Sequence, residues 1–189
     1  MSERKGEYVL LEKAKEAVAS ASRRVALLHL AYAKVLVDEL GEERALKIIL
    51  KAIKYYGMKI GEKTREEVVR QGLEPLPENF SAGKSYRLPE FGMHDKIEVV
   101  TVNGEKRIRA YGCVLGKVWK EYGEEELGRL YCYMDIAKYM GYNPNYKFIH
   151  TKCILEGDEY CELVVRPTTE KERKIFFSKD EDWRCLDKY

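Results

Sequence analysis

Between Tyr8 and Leu40, apolar residues recur every three or four positions: Leu11, Ala14, Val18, Ala21, Val25, Leu28, Tyr32, Val35 and Leu36. That period places them on one face of a helix. Ser20-Ala21-Ser22 leaves open whether there is one long bent helix or two. Gly41 ends the pattern, and Glu42-Glu43 opens the next helix with negative charge in its first turn. There the apolar positions are Ala45, Ile48, Ile49, Ala52, Ile53, Tyr56 and Ile60, with Val68 further on, and the helix is expected to run to Gln71 with Gly72 as its stop. Gly57 and Gly61 share a face and would let a neighbour approach closely, at about 1 kcal/mol of helix propensity each. Residues 1–72 therefore read as a helical platform, a scaffold that also suits subunit contact.

Residues 73–95 form a connection rich in Pro and Gly. Phe80, Tyr86, Leu88, Phe91 and Met93 are too apolar for a free linker, so the segment is expected to pack over something, such as a ligand cavity. Ile97–Val102 and Glu105–Ala110 read as strands joined by the hairpin turn Asn103-Gly104. A short helix follows from Val114 to Gly123, then a second over Glu124–Met140, stopped by Gly141. Tyr146–Leu155 and Tyr160–Val165 read as two more strands around Glu156-Gly157-Asp158, with Pro167 ending the last. The tail, 167–189, is expected to dock through Ile175, Phe176, Phe177 and Trp183. The order implies a single α+β domain: the helical platform (1–72) packed, across the 73–95 connection, on an antiparallel sheet built from hairpins, with helices on one face, in the ligand or catalytic part (96–166).

Composition narrows the function. Lys and Arg total 34 and Asp and Glu 32, for a net charge of +2. That balance gives no electrostatic case for nucleic acid or an anionic membrane. No apolar run is long enough to span a bilayer, and Met1–Glu7 lacks the core of a signal peptide, so a cytoplasmic location is expected. In that compartment the five cysteines are expected to be thiols, ligands or nucleophiles rather than disulfides.

Four of those cysteines fall between Tyr111 and Arg166. Cys113 stands where a strand gives way to a helix, where the dipole would lower its pKa and favour the thiolate. A small buried hydrophobe is the bland alternative. Cys132 and Asp135 lie three apart and share a helix face, so either that face is exposed or Asp135 has a buried partner. His150 is the imidazole on a strand of this region and suits a general base for a thiol. Cys161 alternates with Leu163 and Val165 and is expected to point inward. His29 reads as a flank or a satisfied core residue of its helix, and His94, at the end of the connection, is given no role. Cys113, Cys132 and Cys161 with Asp135 or His150 would also form a valid zinc set, but the sequence holds no Cys-x-x-Cys and no cofactor is expected.

The run Cys113…Leu127-Gly128…Tyr131-Cys132…Asp135…Gly141-Tyr-Asn-Pro144…His150-Thr151…Gly157-Asp158…Cys161, with Leu40–Leu46 upstream, resembles the L-2-amino-thiazoline-4-carboxylic acid hydrolase family. The Gly157-Asp158…Cys161 ending is also similar to vinyl-reductase-type small-molecule-binding domains. The resemblance implies hydrolytic opening of a cyclic amidine by a cysteine-dependent mechanism. It carries over the thiols Cys113, Cys132 and Cys161 with Asp135 as their carboxylate; residue type adds His150 to Cys113, Cys132 and Asp135 as the expected catalytic set, with Asn143, Thr151, Asp158 and Cys161 around a small-molecule substrate. This chain has Val114 where Pro is expected, His150 where Arg is expected, and Glu162-Leu163 after Cys161 in place of Asp-Phe. Loss of an Arg would change how a substrate carboxylate is held. The competing expectation is a non-catalytic binding or sensor domain, and a homodimer through the platform stays open.

Overall fold

The computed structural model describes residues 8–89, 91–179 and 181–187; the N-terminal stretch read for a leader, 1–7, lies outside them. Two long helices, α1 (Leu11–Leu40) and α2 (Glu42–Arg70), lead through a 3-10 turn at Pro77–Ala82 to strands β1 (Lys96–Val102) and β2 (Glu105–Tyr111). Helices α3 (Val114–Glu121), α4 (Glu125–Cys132) and α5 (Met134–Tyr142) follow. Then come β3 (Tyr146–Lys152), β4 (Cys161–Pro167), α6 (Glu170–Phe177) and a final 3-10 turn, Trp183–Asp187. The two hairpins join along β2 and β4 into one antiparallel sheet of order β1-β2-β4-β3. The chain is thus an α+β fold with helices packed on the sheet.

The platform departs from its apolar pattern. Helix α1 is unbroken at Ser20–Ser22, because Ser22 Oγ donates to the Val18 carbonyl at 2.8 Å and needs no other partner. It buries Ser22, Ala26, Leu30 and Ala33, while Val25, Leu28, Tyr32 and Val35 of the apolar stripe are exposed. Trp119 explains the choice. Its Nε1 donates to the Ala26 carbonyl at 3.0 Å, so the indole lies against the α1 backbone, where only small side chains fit.

Helix α2 packs on α5 at near-backbone contact. A Cβ on Gly61 would stand 2.0 Å from the Lys138 carbonyl oxygen, and one on Gly57 2.6 Å from Ala137 Cβ. The helix expected over 124–140 is divided at Tyr133. Its first half is held on α3, where Gly128 admits the Trp119 ring, and its second half is held on α2. The two supports lie in different directions, and the chain turns between them. β3 stops at Lys152, short of the expected Leu155, because a 3-10 turn takes Ile154–Glu156.

The sheet has an apolar and a charged face. Ile108, Ala110, Cys161, Leu163, Val165 and Phe148 alternate onto one side and pack with Leu115, Trp119 and Tyr139. On the other side Glu162 accepts from Arg107 at 2.7 Å, Arg109 at 2.8 Å and Thr151 at 2.7 Å. Burial alone would raise the Glu162 pKa, but these donors hold it down to about 2. Beside that network Ile149 and Val164 join a second cluster with Phe176, Trp183 and Leu186. The tail docks through Phe176 and Trp183 as expected, whereas Phe177 is exposed.

The connection packs over the interior. Phe80 stacks on Tyr139 with centroids 4.6 Å apart, and Met93 reaches the cluster that contains Cys153 and Cys161. Tyr86 and Leu88 are exposed.

Gly61→Ala should show how much depends on the α2–α5 approach. Alanine recovers about 1 kcal/mol of helix propensity, but forcing the backbones apart costs about 2–3 kcal/mol. A lower urea midpoint is expected, and an unchanged or higher midpoint would mean that the helices separate freely.

Candidate functional site

Four elements deliver the chemistry to one place. Cys113 caps the start of α3, Cys132 ends α4, Cys153 follows β3 and Cys161 begins β4. Cys153 and Cys161 are buried in the sheet–helix core, and Cys113 and Cys132 pack against them half-buried. Cys153 sits between Cys132 and Cys161, within hydrogen-bonding reach of both sulfurs.

That position favours the ionised form of Cys153 over those of its neighbours. Donation by Cys132 and Cys161 lowers the Cys153 pKa strongly, helped by the Arg129 guanidinium and the Leu155 backbone N–H, against the cost of burial. The same contacts raise Cys132 and Cys161, which keep their protons. Cys113 behaves otherwise than its place in the sequence suggests. The N–H groups of Gly116 and Leu115 do favour its thiolate, but burial outweighs them and its pKa is raised. One short helix cannot offset the loss of solvent around a sulfur in an apolar core.

Arg129 stands three residues before Cys132 on the same buried face of α4. Its Nη2 donates to Asp187 Oδ2, its Nε donates to Glu156 Oε1 at 3.0 Å, and its guanidinium lies over the Tyr133 ring at 4.4 Å. Asp187 is also buried. Its Oδ1 accepts the His150 backbone N–H at 2.8 Å, closing the outer edge of β3. Its Oδ2 lies 3.5 Å from His150 Nδ1, long for a hydrogen bond. Across the ring, His150 Nε2 is 3.9 Å from Asp135 Oδ2. Burial would push the imidazole pKa down, but Asp187, with Asp135 behind it, raises it. Asp135 is half-buried, and its partner is Lys138 at 2.6 Å.

Two buried polar atoms of this assembly, Arg129 Nη1 and His150 Nδ1, have no hydrogen-bond partner among the described residues. Such groups cost about 1–3 kcal/mol each and persist where function needs them.

Of the eight residues named from sequence, Cys113, Cys132, Asp135, His150 and Cys161 meet here. The other three hold backbone or sheet. Asn143 donates to the Pro75 carbonyl at 2.8 Å, Asp158 Oδ2 accepts the Cys153 N–H at 2.8 Å, and Thr151 pairs with Glu162 on the charged face. Sequence reasoning missed the central place of Cys153, and also Arg129 and Asp187. Arg129 did leave a signal, a charge among the helix positions of Leu127, Leu130 and Cys132. Among the described residues no group of three or more His, Cys, Asp or Glu is disposed to hold a metal ion. No described helix is long and apolar enough to cross a membrane.

A search of curated proteins gives no match. Among solved structures, the chain is similar to a trafficking protein particle complex subunit 3 from Naegleria fowleri, crystallised covalently bound to palmitic acid. The two share 16% identity over 79% of this chain and 96% of that one, with a TM-score of 0.48. A family model for L-2-amino-thiazoline-4-carboxylic acid hydrolase matches residues 20–165. On that match, which spans most of its length, the chain belongs to the L-2-amino-thiazoline-4-carboxylic acid hydrolase family.

Proposed function

We propose that the protein is a cysteine-dependent hydrolase that opens a small cyclic C–N compound resembling 2-amino-thiazoline-4-carboxylate. The observation that carries this reading is the buried Arg129, whose Nη1 is unpaired, beside a thiol whose neighbours favour its ionised form. The unpaired Nη1 can donate to a carboxylate, and a thiolate suits an electron-poor amidine carbon. In this reading Arg129 supplies the carboxylate contact for which the family resemblance expects an arginine at position 150.

In this mechanism the Cys153 thiolate adds to the amidine carbon, and the C=N electron pair moves to nitrogen. The ring C–N bond breaks as the pair on the exocyclic nitrogen re-forms C=N and the ring nitrogen takes a proton from the His150 imidazolium. Water then adds to the same carbon, giving one proton back to His150 and the other to the exocyclic nitrogen, and the oxygen pair forms C=O as the bond from that carbon to the Cys153 sulfur breaks and restores the thiolate. The net change is addition of one water. Cys132 and Cys161 tune the nucleophile, Asp135 and Asp187 hold the imidazole, and Cys113 lines the site. The packed contacts of Phe80 and Met93 are the ones that must loosen to admit substrate. A cytoplasmic small-molecule enzyme without a cofactor follows from this reading.

A second reading, a non-catalytic binding domain, is favoured by a different feature. A groove of about 720 Å³ between α2 and the C-terminal tail, lined by Leu50, Met58 and Trp183, lies away from the thiols.

Single-cysteine variants assayed on 2-amino-thiazoline-4-carboxylate separate the roles. Cys153→Ser should lose activity by about 10³-fold or more. Cys132→Ala and Cys161→Ala, which remove a donor outright, should fall by about tenfold each, with Cys113→Ser near the parent. Parent-like turnover by Cys153→Ser would remove the proposed nucleophile.

The histidine–aspartate pair predicts a pH signature. The folded pKa of His150 is raised above 6.5, so its contribution is full below that value and is lost as pH rises through the folded pKa. The folded pKa of Asp187 is depressed below 3.8, so its contribution is full above that value and is lost as pH falls through the folded pKa. Asp187→Asn should therefore cost about 3 kcal/mol in mildly acidic buffer, where both groups are charged and Arg129 is left poorly paired. The loss should be smaller at pH well above the His150 value. Urea unfolding at two pH values tests this, and equal losses would show that Asp187 does not hold the imidazolium.

A further inference from the structure

A cavity of about 620 Å³ lies between the first turns of α1, residues 91–97 and α3. Its volume suits a small-molecule site. The chain constructs its walls by close approach. A Cβ on Gly92 would stand 2.5 Å from the Lys15 carbonyl oxygen, so this segment rests on the α1 backbone. Gly112, at φ +64°, leaves room that Asp95 fills. On either side of His94 the backbone is pinned to the chain around Cys113: the Met93 carbonyl accepts the Val114 N–H at 3.0 Å, and the Asp95 N–H donates to the Tyr111 carbonyl at 2.9 Å.

His94 is thereby fixed in the cavity wall that backs onto the packed thiol cluster. One side of that wall faces the cavity. Behind it lie Met93 and Cys113, which pack on the thiol cluster, and Asp135, whose charge His94 feels. Asp135 in turn faces His150. The cavity's own charges are mixed and largely paired: Lys117 with Asp95 at 2.8 Å between two of its walls, and along α1 Lys15 with Glu12 at 2.9 Å and Arg23 with Glu16. A lining of both signs fits a small zwitterion better than an anion, a cation or a hydrocarbon.

Building on the hydrolase reading, we infer that this cavity is the entry subsite for a small, amino-acid-like zwitterionic substrate, and that His94 is the gate between it and the thiols. Substrate waits among the paired charges and passes His94 and Met93 to reach Cys113 first and Cys153 behind it. Met93 supplies a flexible thioether that can yield, while His94 presents a polar edge to the passing ligand.

Thiol alkylation tests the route without needing turnover. The whole protein is treated with iodoacetamide, and labelling of each cysteine is followed by peptide mass spectrometry, with exposed Cys185 as the internal standard. Ala19→Trp, which fills the cavity from α1, should slow Cys113 labelling about tenfold, and His94→Ala should speed it about tenfold, without moving Cys185. Lys51→Trp, in the groove on α2, should change neither. In the parent, 2-amino-thiazoline-4-carboxylate should protect Cys113, and Ala19→Trp should abolish that protection. Unchanged Cys113 labelling in Ala19→Trp, with Cys153 and Cys161 labelling also at the parent rate so that general opening is excluded, overturns the proposal. Uniform acceleration of Cys113, Cys153 and Cys161 in His94→Ala overturns the gate, since it reports general loosening. A parent that shows cavity-dependent labelling but no turnover would instead sink the hydrolase reading and leave the entry subsite standing.

Discussion

The pairing of Arg129 with Asp187 is the constraint on which the interior depends. A guanidinium buried on the apolar face of α4 would be prohibitively costly alone. The last turn of the chain resolves this by bringing a carboxylate inward from Asp187. That same carboxylate accepts the N–H on the open edge of β3 and faces the His150 ring. One side chain therefore neutralises a buried cation, finishes an exposed sheet edge and sets the charge of an imidazole. Phe176, Trp183 and Leu186 bury around it, so the apolar docking of the tail and the polar fit of its carboxylate reinforce each other.

The second consequence is electrostatic. Positive charge from Arg129 reaches the sulfurs of Cys132 and Cys153, while its negative partner is held toward the histidine. The cluster is thus polarised, with thiols on the cationic side and, on the other, an imidazole whose pKa the carboxylates raise. A buried sulfur in apolar surroundings keeps its proton, as Cys113 does. Cys153 is distinguished by position, having a thiol on each side, a backbone N–H and a cation within reach. The selection of one thiolate among four similar residues is a property of the arrangement, not of any residue type.

Much of this was legible in the sequence, for identifiable reasons. The Asn103-Gly104 turn, the Gly41 stop and the alternation around Cys161 are local signals, and the hairpins and the end of α1 follow from them, whereas α5 runs through the expected stop at Gly141 to Tyr142, that glycine instead admitting the Met58 backbone. Gly57 and Gly61 foretold a close crossing because nothing else justifies their cost in a helix. The α1 stripe misled because periodicity reports which residues share a face, not which face is covered. Here the partner is the Trp119 ring, and its bulk selects the small-residue edge around Ala26. Asp187 was invisible for a deeper reason. Its role depends on contacts to residues 129 and 150, and no local pattern marks a carboxylate in a charged tail as one that will be buried.

The exposed side of α1 gains meaning from this contrast. A helix that leaves Val25, Leu28, Tyr32 and Val35 outward and turns Ser22, Ala26 and Ala33 inward beside Leu30 has bent its packing to the needs of α3. Helix α3 carries Cys113 at its start and Trp119 at its core, so its placement decides both where the first thiol stands and how near α1 approaches. The first turns of α1 are then free to close over residues 91–97 through Gly92, forming the cavity beside His94. The same indole contact that leaves Val25, Leu28, Tyr32 and Val35 in solvent thus sets the geometry of the approach to the thiols. The platform is part of the site's architecture because it supplies one wall of its entrance.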